Sequence, residues 1–145
     1  MPVKAVPDGY HTVTPYLTVH DVEGLIAFVK KAFGAQLLSS HNGPDGRIGH
    51  AEFKIGDSVV MTGQAREQVP ATSAMLYLYV PDTDAVYRAA LAAGGKSLME
   101  PSDQFYGDRN AGVSDPFGIQ WWIATHVEDV SPEEMERRNA ARHTK

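Results

Sequence analysis

The strongest constraint on this chain is that its pattern occurs twice. Val19-His-Asp21 and Val80-Pro-Asp82 each close an alternating run and open a helical one, and Gly34 and Gly95 keep the same 61-residue offset. Further on, Gly56-Asp-Ser-Val-Val-Met61 falls against Gly118-Ile-Gln-Trp-Trp-Ile123, displaced by one residue more. Self-similarity at a fixed period marks a duplicated supersecondary unit. The expected fold class is therefore α+β: two tandem βαβββ modules, about 12–63 and 73–125, within one domain over 1–145.

Local patterns supply the elements of each unit. Val13-Thr-Pro-Tyr-Leu-Thr-Val19 alternates with the period of a half-buried strand, Leu17 and Val19 on one side and Tyr16 and Thr14 on the other. Pro15 cannot donate to a ladder, which suggests an edge position or an irregularity. Asp21 offers a cap to a helix whose apolar residues Leu25, Ile26, Val29 and Phe33 recur at helical spacing, and Gly34 supplies a left-handed stop. A weaker strand, Gln36 to Ser40, and the turn residues Asn42-Gly-Pro-Asp-Gly46 lead to Gly49–Ile55 and Ser58–Thr62, a hairpin joined by Gly56-Asp57. The second helix carries Val86, Ala89, Ala90 and Ala93 at the same place in its unit, and Gln64 to Thr72 connects the two. At the far end Ser131-Pro-Glu-Glu134 reads as a capping box opening a helical tail, 131–142. Met135 is its one sizeable apolar side chain, so the helix is expected to be a solvated tail or to lie across a subunit neighbour.

Composition narrows the classes of function. A chain of 145 residues hides roughly 70% of its unfolded surface on folding, enough for a core without staples. The absence of cysteine removes disulfides, thiolate nucleophiles and thiolate metal sites, and suits a reducing compartment. No stretch approaches the roughly 18 apolar residues of a membrane span and no apolar leader segment is visible, so a cytoplasmic protein is expected. A formal charge of −5 without a basic block argues against nucleic acid as a partner and leaves a small molecule or a protein. No glycine-rich phosphate loop follows a strand, and Ser58 and Ser114 lack the setting of a nucleophile elbow.

The order of elements, with Val80-Pro-Asp82 opening the second helix and Asp115-Pro-Phe-Gly118 leading into the last strand, resembles the glyoxalase, bleomycin-resistance and extradiol-dioxygenase superfamily, the vicinal oxygen chelate proteins. The resemblance spans about Thr12 to Thr125. Gly49-His-Ala-Glu52, Ile55-Gly-Asp-Ser58, Tyr106-Gly-Asp-Arg109 and Trp121-Trp-Ile-Ala-Thr-His-Val-Glu-Asp129 look like its PhnB-like branch. The resemblance implies paired modules curved around a cavity and a homodimer. In catalytic members it implies a divalent metal held from positions that here fall on Thr14, Val60, Met75 and Trp122. None is His, Glu or Asp, and a slip from Val60 to Met61 is no better for such a cation. The expectation is a protein with no cofactor and without the usual metal.

Strand parity then nominates a lining. Tyr16, His50, Glu52, Tyr77, Tyr79, Gln120 and Trp122 should share the concave face, and Tyr106 and Arg109 sit in a loop that is longer than its counterpart in the first half. The aromatics suit a planar, hydrogen-bonding ligand, or they fill a closed core. His50 and Glu52 are the candidate catalytic pair, as acid and base, or they form a structural cross-strand contact. Arg109 could fork to a carboxylate or phosphate while Tyr106 closes over a ring, or Gly107 and Asp108 merely fix a turn. His11, His20 and His41 share no ligand spacing, and His126 follows the last strand. Three readings follow: a metal-free small-molecule binding protein, an enzyme using side chains alone, and a metal-dependent lyase or dioxygenase with ligands at other positions.

Overall fold

The computed structural model describes residues 3–143. Each half of the sequence builds a four-stranded mixed sheet with a helix on one face. In the first, β1 (Tyr16–Val19), α1 (Val22–Phe33), β2 (Gln36–Asn42), β3 (Ile48–Ile55) and β4 (Ser58–Gln64) give the strand order β1-β4-β3-β2, with β1 and β4 parallel. The second repeats this with β5 (Ala74–Tyr79), α2 (Thr83–Ala92), β6 (Lys96–Asp103), β7 (Asp108–Ser114) and β8 (Ile119–His126), in the order β5-β8-β7-β6. The duplicated α+β fold read from the repeat is the fold observed.

Local chemistry sets the boundaries. The first strand begins at Tyr16 rather than Val13: Pro15 has no N–H to give, and its carbonyl only accepts from the Met61 N–H at 2.9 Å. Asp21 and Asp82 cap the two module helices, accepting from the Gly24 and Ala85 N–H groups at 2.9 and 3.1 Å. α1 stops where Gly34 turns left-handed, at φ 67°.

Each helix covers its own sheet, and the two helices also pack on each other, so one apolar core joins the modules. Leu17, Val19, Phe53 and Val60 enter it from the first sheet, and Val113, Ile119, Trp121 and Ile123 from the second. Phe33 of α1 meets Trp121 with ring centroids 4.9 Å apart, across the boundary between the repeats. An indole of this size hides about 150–250 Å² of surface, a gain of about 4–6 kcal/mol at ~25 cal/mol per Å². That gain is kept only because its N–H is satisfied: Trp121 Nε1 donates to Asp115 Oδ2 at 2.8 Å, while Asp115 Oδ1 accepts from the Phe117 and Ile119 N–H groups at 2.8 and 2.9 Å. The Asp115-Pro-Phe-Gly118 motif is thus the bracket of the buried tryptophan.

With both helices inside, the opposite face of each sheet is left open. β1 and β5 are edge strands that do not pair with each other. Tyr16, Met75, Tyr77 and Tyr79 on them are 41% to 66% exposed.

The last helix, α3 (Pro132–Arg142), starts at Ser131, whose Oγ accepts from the Glu134 N–H at 3.2 Å, and it buries no residue. It is nevertheless more than a solvated tail. Arg138 grips Glu128 with two bonds of 2.9 and 2.8 Å and donates to the Phe105 carbonyl at 3.0 Å, and the Arg142 guanidinium lies 4.4 Å over the Phe105 ring. The chain's own β6–β7 turn is what it rests on. Among the described residues no helix is long and apolar enough to cross a membrane.

Asp115→Ala strands three N–H donors, those of Ile119 and Trp121 buried, and is expected to lower the unfolding free energy by about 2–4 kcal/mol, measured by urea denaturation followed through tryptophan fluorescence.

Candidate functional site

Strand register decides which side chains reach the open faces. In the first sheet Tyr16 stands opposite Met61, and Ala51 and Leu17 stand opposite Thr62. Tyr16, Met61, Gly63, His50 and Glu52 therefore share the open side, whereas Val60 pairs with Phe53 on the helix side and is buried. Of the position nominated by the resemblance and its one-residue slip, Val60 thus lies on the helix side and Met61 on the open side. In the second sheet Met75 stands opposite Gln120 and Tyr77 opposite Trp122, all on the open side. A divalent ion at the superfamily's positions would meet a hydroxyl, thioethers and an indole, groups that do not fit it. Among the described residues no three His, Asp or Glu side chains gather as a metal-holding set.

The open face of the first sheet carries a small polar cluster. Tyr16 Oη lies 3.2 Å from His50 Nδ1, and His50 Nε2 lies 3.7 Å from Glu52 Oε2, too long for a hydrogen bond. Glu52 instead accepts from Tyr10, whose hydroxyl it holds above its ordinary pKa through that bond. His41 stacks on His50, ring centroids 6.2 Å apart. His50 and Glu52 are thus together as their spacing requires, each tied to a phenol.

The open face of the second sheet is more completely built. Asp108 stands opposite His126 and Asn110 opposite Ala124, with Gly112 opposite Trp122, so that β7 and β8 present these residues on one side with Tyr77 and Tyr79 of β5. Asp108, 3% exposed, is the hub. Its Oδ2 accepts from Tyr77 Oη at 2.8 Å and Tyr79 Oη at 3.0 Å, and its Oδ1 lies 3.0 Å from His126 Nδ1. Burial opposes its charge, but the bonds from His126, Tyr77 and Tyr79 together outweigh burial and hold the carboxyl below its ordinary pKa. Burial pushes the Tyr77 phenol well up. Asn110 donates to Tyr77 Oη at 3.0 Å and to Tyr106 Oη at 2.7 Å, which brings the loop tyrosine into the group. The Trp122 indole lies flat over Gly112, where a Cβ would stand 2.7 Å from the ring, and its Nε1 donates to Gln120 at 3.2 Å.

Eight of the nine expected residues, His50 and Glu52 together with Tyr16, Tyr77, Tyr79, Tyr106, Gln120 and Trp122, thus reach the open faces. Arg109 does not. One residue from Asp108, it points to the helix side, where Asp84 takes its fork at 2.7 and 2.9 Å and Asp103 takes Nη1 at 3.2 Å. It fastens β7 to α2 and β6 and offers no free fork to a ligand. Asp108, Asn110 and His126 lay outside the expected site; the two-residue period from Asp108 through Gly112 puts Asp108 and Asn110 on one side of their strand, but only the β7–β8 register adds His126.

His126 joins Asp108 to Asp129, with Nε2 2.7 Å from Asp129 Oδ1, and only the protonated ring can donate to both. The Asp108 bond first, then the Asp129 bond, raise its pKa above the ordinary 6.5. A raised pKa means stabilisation that is full below the ordinary value and lost as pH rises through the folded-state value. His126→Gln is therefore expected to depress the melting temperature clearly at about pH 6 and much less near pH 9, read by calorimetry across that range.

The family profile described as the glyoxalase/bleomycin resistance protein/dioxygenase superfamily matches residues 10–123. An uncharacterized protein of Mycobacterium bovis is 33% identical over 135 residues, covering 86% of this chain and 89% of that protein. Among solved structures, TioX from Micromonospora sp. ML1 superposes with a TM-score of 0.71 at 24% identity, covering 81% of this chain and 99% of its own. A glyoxalase/bleomycin resistance protein/dioxygenase from Nocardioides does so with 0.62 at 22%, covering 84% and 87%. The profile spans most of the chain and the repeated modules are those of its fold, so the chain belongs to the glyoxalase/bleomycin resistance protein/dioxygenase superfamily.

Proposed function

We propose that this chain is a binding protein of the PhnB-like branch that holds a small, partly aromatic ligand against the open faces of its sheets, without the usual catalytic metal. The observation that carries this reading is the second open face: Tyr77, Tyr79 and Trp122 present rings beside the polar network of Asp108, Asn110 and Tyr106. Rings with a few convergent polar groups are the usual lining of a small-molecule site. The donor chemistry of Thr14, Met61, Met75 and Trp122 supports the metal-free part of the reading.

The same faces support a homodimer. Met75 and Tyr79, 59% and 66% exposed on an edge strand, form the kind of open apolar edge that proteins normally cover. A second copy would cover both faces and turn them into a closed cavity. A cytoplasmic location belongs to this reading too, since a chain without cysteine suits a reducing compartment. The alternative of a metal-free enzyme rests on His50, which stands between Tyr16 and Glu52. Its signature would be turnover that collapses in His50→Ala while ligand binding persists.

The main test is a thermal-shift screen with small planar aromatic compounds on protein purified without chelator, alongside metal analysis. Hits that quench tryptophan fluorescence are expected, with Tyr77→Ala weakening them about tenfold. Stoichiometric zinc, nickel, manganese or iron in the purified protein would instead favour a metal-dependent lyase or dioxygenase. Light scattering is expected to give a dimer that Tyr79→Arg dissociates; a monomer at all concentrations overturns the pairing.

A further inference from the structure

We propose that the open face of the second sheet selects ligands bearing a positively charged, hydrogen-bond-donating group on a flat ring, an amine or amidine, and rejects anionic ones. This inference rests on the reading of that face as a ligand site and adds to it the chemical class of ligand.

Three features of the face lack the same thing. The first is an acceptor. Asn110 is 2% exposed and both of its N–H bonds are taken by Tyr77 and Tyr106, which leaves Oδ1 buried with no donor among the described residues. Orphaned buried acceptors are uncommon in folded proteins, and one beside an open aromatic surface points to a donor supplied from outside. Tyr106, which accepts from Asn110 Nδ2, comes from the turn between β6 and β7, so displacement of that side chain would let a ligand N–H reach the neighbouring Oδ1.

The second feature is charge. Asp108 and Asp129 flank His126, so even with the ring protonated this triad keeps one net negative charge. No lysine or arginine joins the network among the described residues. Arg109, the adjacent cation, is turned to the other side of the strand and held by Asp84 and Asp103. The third is the surface itself. The Tyr77 and Tyr79 rings lie 5.4 Å apart, and the Trp122 ring lies flat on its glycine floor. The face of an aromatic ring carries negative potential and attracts cations. A donor-bearing cation satisfies all three features at once; a carboxylate or phosphate satisfies none of them and would face the Asp108 charge.

The test uses three probes that share one ring system: acridine, 9-aminoacridine as the cation, and acridine-9-carboxylate as the anion. Each is titrated into the full-length protein by calorimetry at neutral pH. The cation is expected to bind at least about tenfold more tightly than the anion. Asp108→Asn is expected to shrink that preference to about twofold. Asn110→Leu is expected to weaken 9-aminoacridine while sparing acridine. Circular dichroism and the melting temperature establish that these buried variants fold. Tyr79→Phe at an exposed position, which keeps the ring and frees one lone pair of Asp108, is expected to raise the cation preference as a second readout, and a fall in that preference would overturn the inference. Acridine and the anion binding as tightly as the cation would overturn the inference and leave the hollow as a ligand site. Failure of all three probes would overturn both.

Discussion

The burial of Trp121 against Phe33 is the contact on which the rest of this structure depends. It carries the second module's sheet onto the first module's helix, and it is tolerable only because Asp115 accepts the indole proton while holding the turn that leads into β8. Once α1 and α2 share a core between the sheets, neither can also cover the other side of its sheet. Two open faces follow from one packing decision. The molecule therefore carries Tyr16, Tyr77 and Tyr79 on the outside, where a ligand or a second copy can reach them, and keeps Trp121, Phe53 and Phe28 within.

What each face can do is then a matter of strand parity. On β7, Asp108, Asn110 and Gly112 look outward to the hollow, while Arg109, Ala111 and Val113 look toward α2 and the core. A single step along the strand separates an acidic aromatic surface from a guanidinium locked between two aspartates. Had the register slipped by one residue, the hollow would have been cationic. The same parity puts Val60 in the core and Met61 outside it. At these positions the strand geometry and the donor chemistry both leave a divalent ion without a suitable set of ligands.

The two faces solve a common problem with different residues. Each lays an aromatic ring across a glycine, Tyr16 over Gly63 and Trp122 over Gly112, where any Cβ would collide with the ring. Each also carries on the same face a carboxylate that accepts from phenol, Glu52 from Tyr10 in one and Asp108 from Tyr77 and Tyr79 in the other. The second face goes further: its carboxylate stays charged against burial through several bonds, and its asparagine keeps an acceptor in reserve. Duplication supplied the frame, and the polar network distinguishes the halves.

The sequence alone determined the architecture, because a repeat with its caps and turns is local chemistry: Asp21 and Asp82 start helices, Gly56-Asp57 turns a hairpin, and Ser131 opens α3 wherever those segments lie. It also determined most of the lining, since alternation put Tyr16, Tyr77, Tyr79, Gln120 and Trp122 on one side of their strands. Tertiary structure decided what no local pattern contains. The register between β5, β7 and β8 gathered Asp108, Asn110 and His126 beneath the tyrosines. Contacts between segments distant in sequence gave Arg109 to Asp84 and α3 to the β6–β7 turn. Hydrogen bonds between distant residues depend on how the strands are brought together, and a two-residue period along a chain cannot say which neighbour will stand across from it.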